Sequence, residues 1–151
     1  MKNMLNPIRL LLALACLSIA VSCSGPPSQG EPALHVGDWQ AVSAILAGDP
    51  FPEEVLKTIT LELTADTYVT QVGGQLDKGA AVFEYGEEAC RVTITGTDGP
   101  NKGNTILAIA TFPSDDEMKI CYSLTGQEFP TEWEATKENG LYMAVYQRVK
   151  E

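Results

Sequence analysis

The chain has 151 residues, of which 44% are hydrophobic and 20% charged, and its 20 acidic residues outnumber its 10 basic ones for a formal net charge of −10. That balance, with no cluster of Lys or Arg, excludes nucleic acid and anionic headgroups as partners, because the field of the domain repels phosphate. The content of Val, Ile, Leu, Phe and Tyr is that of a folded protein, and the length beyond the N-terminal region admits one domain with one core.

The N-terminal residues place Lys2 and Arg9 ahead of a short apolar run from Leu10 to Val21, which ends in Ala20-Val21-Ser22-Cys23. A positive front, an apolar core and a small residue before a cleavage point make 1–22 a signal segment. The run is too short to span a bilayer comfortably. The segment resembles a bacterial lipoprotein signal, and that resemblance implies that Cys23 becomes the mature N-terminus and carries acyl chains. At roughly 0.8 kcal/mol per buried methylene, such chains hold a protein on a membrane without spanning it. Cys16, after Ala13-Leu14-Ala15, is a second candidate, but it lies too early to leave a full apolar core. Cleavage at Cys23 removes two basic residues, Lys2 and Arg9, and no acidic ones, so the mature chain is more acidic still. Residues 23–33, rich in Pro, Gly and Ser, read as a flexible spacer. The expected location is the cell envelope, lipid-anchored and facing the periplasm or exterior.

From residue 34 onward, short runs of alternating apolar and polar residues recur between turn residues, the pattern of strands with one buried face. Thr58-Ile59-Thr60-Leu61-Glu62-Leu63-Thr64 sets Ile59, Leu61 and Leu63 on one face, since strand side chains alternate. Cys90-Arg91-Val92-Thr93-Ile94-Thr95 does the same with Val92 and Ile94, and Met118-Lys119-Ile120-Cys121-Tyr122 with Met118, Ile120 and Tyr122. Further strands are expected near 36–45, 67–72, 80–86, 105–112, 131–137 and 141–149. The junctions are Ala65-Asp66, Gly73-Gly74, Ser114-Asp115-Asp116 and Asn139-Gly140. Asn-Gly predicts a type I′ hairpin turn, which needs positive φ at both central residues. Pro52-Glu53-Glu54-Val55-Leu56-Lys57 is the one helical candidate, with acids near the positive end of the helix dipole.

The expectation is therefore all-β: an antiparallel meander of eight or nine strands with one short helix between the first two. Closure into an up-and-down barrel removes the two unpaired edges. A sandwich is the alternative, but it needs crossover connections longer than most of these loops.

Gly37-Asp38-Trp39 at the first strand, Thr97-Asp98-Gly99-Pro100-Asn101-Lys102-Gly103 before a strand, and Met118-Lys119-Ile120-Cys121-Tyr122 carry a family resemblance. Together with the Pro-Glu-Glu cap, Pro130-Thr131-Glu132 and a closing basic strand, they are similar to an uncharacterised lipocalin-like domain family common in planctomycete bacteria. The resemblance covers 36–148 and implies a lipocalin-like (calycin-like) barrel over 34–151, with no established activity. It also implies that Gly37 and Trp39 close one end of the barrel and that Arg148, from the last strand, lies over Trp39, a contact of about 0.5–2 kcal/mol through cation–π attraction. The family's late strand reads Arg-Pro where this chain has Phe129-Pro130, so no role of that arginine carries over.

Candidate chemistry is sparse. His35 is the sole histidine, and it precedes the first strand with no partner in view for acid–base work. One His and two separated Cys do not make a zinc site. Asp115-Asp116-Glu117 at a hairpin tip point in different directions and lack the spaced ligands calcium takes. The glycine-rich stretch from Asp98 to Asn104 joins two strands and opens no helix, so it is read as a structural hairpin and not a phosphate loop. No catalytic residue, metal or cofactor is assigned, and the chain is read as a non-enzyme. Cys90 and Cys121 invite a disulfide outside the cytoplasm. The meander argues against it: one strand lies between them, roughly 10 Å of separation, whereas a disulfide needs Cα atoms within about 7 Å. They also belong to opposite faces.

Two functions remain open. One is a binding module whose interior, lined by Ile59, Leu61, Leu63, Phe83, Val92, Ile94, Ile120 and Trp133, holds a small apolar ligand. The other is a solidly packed barrel that contacts another envelope protein through its surface. Barrels of this size take either form. Ala80-Ala81 and Ala108 to Ala110 leave room if they point inward.

Overall fold

A computed structural model describes residues 33–150. Nine antiparallel strands and one helical turn follow one another: β1 (Gly37–Leu46), β2 (Asp49–Pro50), α1 (Glu53–Leu56), β3 (Thr60–Leu63), β4 (Thr67–Val72), β5 (Gln75–Glu84), β6 (Cys90–Asp98), β7 (Thr105–Ser114), β8 (Glu117–Ser123) and β9 (Tyr142–Arg148). The sheet runs β2-β1-β3-β4-β5-β6-β7-β8-β9, and β9 pairs back with β1. The result is a closed eight-stranded barrel in which only β2 stands outside the ring. Closure leaves no long strand edge unpaired, which is the physical advantage of a barrel over an open meander.

The expected alternation sets the core. Leu61 and Leu63 of β3, Ala81 of β5, Val92 and Ile94 of β6, Ala108 and Ala110 of β7, and Met118, Ile120 and Tyr122 of β8 are all buried. On β1, Ala41 and Ala44 are both buried although three residues apart. A bulge explains this: the β1–β9 register shifts between Ala41 and Ser43, leaving Val42 48% exposed and restoring the inward parity beyond it.

Four local expectations are corrected. The segment 131–137 is not a strand. It lies within the connection from β8 to β9, and β8 pairs directly with β9. Asn139-Gly140 is accordingly no type I′ hairpin: of the two, only Gly140 has positive φ, at 63°. The Asn139 side chain braces this turn instead, accepting from the backbone N–H of Thr136 at 2.8 Å and donating to the Glu134 carbonyl at 2.8 Å. β5 starts at Gln75, five residues before the expected 80, because Gly73 and Gly74 at φ 58° and 86° turn the chain tightly enough to pair Val72 with Gln75. Finally, Ala47 and Gly48, at φ 50° and 83°, fold the chain back so that β2 pairs with the end of β1 before the helix.

The helix is one turn, with Glu53 and Glu54 in it and Pro52 at its N-cap. Gln40 Nε2 donates to the carbonyls of Leu56 and Ile59 at 2.8 and 2.9 Å, fixing the path from α1 into β3.

Candidate functional site

One end of the barrel is sealed. Trp39 and Arg148 are cross-strand partners, and the guanidinium carbon stands 4.2 Å from the indole centroid. Arg148 also donates to the carbonyls of Val36 at 2.6 Å, Leu34 at 2.7 Å and Asp115 at 2.8 Å. Gly37 has φ 137° and no room for a Cβ, which would press on Arg148 Nη1 at 2.5 Å. Trp39 Nε1 donates to the His35 carbonyl at 2.9 Å.

His35 belongs to this seal. Its ring stacks on Phe83 at 4.0 Å with an interplanar angle of 1°. Nε2 lies 3.1 Å from the Thr64 carbonyl and Nδ1 2.8 Å from the Tyr85 hydroxyl. A carbonyl only accepts, so Nε2 carries the proton, and Nδ1 accepts from Tyr85. Burial lowers the imidazole pKa below its ordinary 6.5, against the opposing effect of backbone hydrogen bonds at Ala65 and Thr64. This histidine is a structural wedge with both nitrogens occupied.

Above the seal the barrel holds a cavity of about 140 Å³. Ile59, Leu61, Leu63, Phe83, Val92, Ile94 and Ile120 line it, joined by Ala81 and Ile106. It opens at the far end, where the lining residues Val72 and Leu124 are 44% and 47% exposed. Ala108 and Ala110 point inward and are fully buried, but of the small residues only Ala81 borders the space.

Trp133 is not among the lining residues. It lies outside the barrel, where Lys119 Nζ stands 5.3 Å above its ring. Phe129 sits under Arg91 at 5.1 Å in the same manner. Arg91, Cys121 and Lys119 occupy the outward parity of β6 and β8, so the connection between β8 and β9 covers the outer face there. That cover accounts for Cys121 being fully buried although it points away from the core.

The polar part of the cavity is built from residues whose role the alternation pattern does not advertise. Tyr68, Asp77, Asn101, Tyr122, Tyr142 and Tyr146 all border it. Tyr68 donates to Asp77 Oδ2 at 2.7 Å, and the Asn101 backbone N–H donates to Asp77 Oδ1 at 2.8 Å. Burial, aided by the hydrogen bond to Asp77, pushes the Tyr68 pKa up to about 12. Burial also raises Tyr122, Tyr142 and Tyr146 well above 10, and their hydroxyls interact with one another. All four therefore stay neutral at physiological pH.

Asn101 reaches the cavity because the β6–β7 loop folds back over Gly96. Gly103 N–H donates to the Gly96 carbonyl and Gly96 N–H to the Asn104 carbonyl, each at 3.0 Å, and a Cβ at Gly96 would collide with the Asn101 carbonyl. The loop is a hairpin, as its sequence implies, and it also carries a polar group into the interior. The signal was a glycine on the inward parity after Val92 and Ile94.

Cys90 and Cys121 are free thiols. Cys90 pairs with Ala110, which pairs with Ile120, so β7 separates the two cysteines and they face opposite sides. Among the described residues no group of three His, Cys, Asp or Glu converges as a metal site, and no helix is long and apolar enough to cross a membrane.

The fold and site define a closed antiparallel β-barrel with an internal, mostly apolar cavity. No protein family, curated protein or solved structure matches the chain.

Proposed function

We propose that this chain is an envelope lipoprotein whose lipocalin-like barrel binds a small, mostly apolar molecule and performs no chemistry on it. The cavity of about 140 Å³ carries the reading. A space of this size in an apolar core is larger than packing defects usually are, and one near 150 Å³ in another protein takes up benzene. Cys23, the proposed acyl anchor to the membrane, lies with the rest of the signal and spacer outside the described residues. The N-terminal pattern supports it.

Native mass spectrometry of the protein with a set of small neutral aromatic compounds tests the binding module. A one-to-one complex that saturates is the expected result. A chain that stays free at millimolar compound assigns function to the outer surface, and hence to an envelope protein partner. The anchor is tested separately: Cys23→Ala should abolish labelled palmitate incorporation and release the protein from the membrane fraction, and retention there removes the anchor from the proposal.

A further inference from the structure

Every buried polar side-chain atom among the described residues has a hydrogen-bond partner except Asn101 Nδ2. That atom belongs to a residue bordering the cavity, and an unmet buried donor is costly enough that native proteins rarely keep one without a use. One acceptor nearby is the Tyr68 hydroxyl, on whose pKa the Asn101 amide has a lowering effect. It accounts for at most one of the two hydrogens on Nδ2. Asp77 accepts from Tyr68 through Oδ2 and from the Asn101 backbone through Oδ1, and neither oxygen is hydrogen-bonded to Asn101 Nδ2. The tyrosine trio interacts internally. One N–H is left over on the polar wall of a mostly apolar chamber.

We propose that the ligand is a compact, neutral, ring-sized molecule bearing a hydrogen-bond acceptor such as a carbonyl oxygen, which Asn101 Nδ2 holds while the ring lies against Leu61, Ile94 and Ile120. This rests on the cavity-binding reading above and adds a ligand class to it. Size excludes long acyl chains: the cavity is about 140 Å³, whereas pockets for larger ligands run to roughly 300–1,000 Å³. Charge excludes anions, because a carboxylate or phosphate placed on Asn101 would stand beside the Asp77 carboxylate. A cation would meet Asp77 favourably but would leave the Asn101 donor unmet, so the orphan N–H selects an acceptor.

The test compares acetophenone with α-methylstyrene, which has the same shape with a methylene in place of the carbonyl oxygen. Calorimetric titrations use the full chain in detergent micelles, with empty micelles as the reference. In wild-type protein both bind. Asn101→Leu weakens acetophenone about five- to tenfold, the scale of one hydrogen bond between neutral groups, and leaves α-methylstyrene within about twofold. Asn101→Asp, which turns the donor into an acceptor, gives the same selective loss and keeps the test open if the leucine variant does not fold. Equal effects of both substitutions on the two compounds overturn the acceptor site while the cavity-binding reading stands, as does benzoate binding more tightly than acetophenone. Failure of both compounds to bind wild-type protein removes the cavity-binding reading itself, and this proposal with it.

Discussion

Arg148 stands 4.2 Å above the ring of Trp39 across the seam where the last strand meets the first. The guanidinium joins three backbone carbonyls, from Leu34, Val36 and Asp115, to an indole that is 1% exposed. Its planar fork of donors suits this geometry in a way a lysine ammonium does not. Arg148→Lys should therefore be destabilising, by about 1–2 kcal/mol, and Arg148→Ala by about 2–4 kcal/mol, as charged hydrogen bonds and the cation–π contact are lost together. Gly37→Ala should cost about 1–3 kcal/mol through its φ and the crowding of Arg148. Urea unfolding of the two alanine variants and their double mutant checks this. The double mutant should lose less than the sum, because removing Arg148 frees the space that the new Cβ needs.

His35 makes stability depend on pH. Burial holds its folded-state pKa below 6.5, so between that lowered value and 6.5 the unfolded chain binds more protons than the folded one. Stability then rises with pH across this window, is fully present above 6.5, and falls as pH drops below it. His35→Gln keeps a donor for Thr64 and an acceptor for Tyr85 but does not titrate. Thermal melts between pH 5 and 7.5 should show a shallower acid-side decline for this variant than for wild type, and parallel curves would remove His35 as the cause.

Most of the strands that build the core were legible because they alternate, as β3 and β6 do, whereas the bulge in β1 breaks the pattern. Ile59, Leu61 and Leu63 cannot be divided between two faces without exposing one of them. Trp133 shows where that logic stops. Trp133 and Ala135 alternate with Glu132, Glu134 and Thr136 as a strand would, but alternation reports that one face is covered, not which layer covers it. Here the covering surface is the outside of the barrel. Asp77 and Asn101 were hidden for the opposite reason: Asp77 is a polar residue on the inward parity of β5 and Asn101 lies in the β6–β7 loop, and both look like turn residues. Only the fold-back over Gly96 brings them to one wall, and that is a tertiary relationship.

The two cysteines should never pair in the folded protein. β7 lies between them and they face opposite sides, and burial raises both thiol pKa values, which suppresses the reactive thiolate. A thiol reagent added to native protein at neutral pH should modify neither within minutes, and both should react at once in denaturant. Non-reducing peptide mapping should return Cys90 and Cys121 in separate peptides. A linked peptide would contradict the strand order.

Ala81 and Trp133 separate the inside of the barrel from its outer cover. Ala81 borders the cavity and is 2% exposed, so Ala81→Leu places three more carbons into existing space. Ligand affinity should fall at least about tenfold, because a ligand loses both volume and contact area. Stability should change by less than about 1.5 kcal/mol, the added apolar burial offsetting local crowding. Trp133→Ala acts on the other surface. It removes the ring beneath Lys119 and loosens the connection that covers Cys121. The expected cost is about 1–3 kcal/mol, with faster labelling of Cys121 and ligand affinity unchanged. Measuring affinity and melting temperature on both variants gives two independent readings. If Trp133→Ala abolishes binding while the fold persists, the ligand sits under the outer connection and not in the barrel. If Ala81→Leu leaves affinity untouched, the chamber above the Trp39 seal is not where it binds.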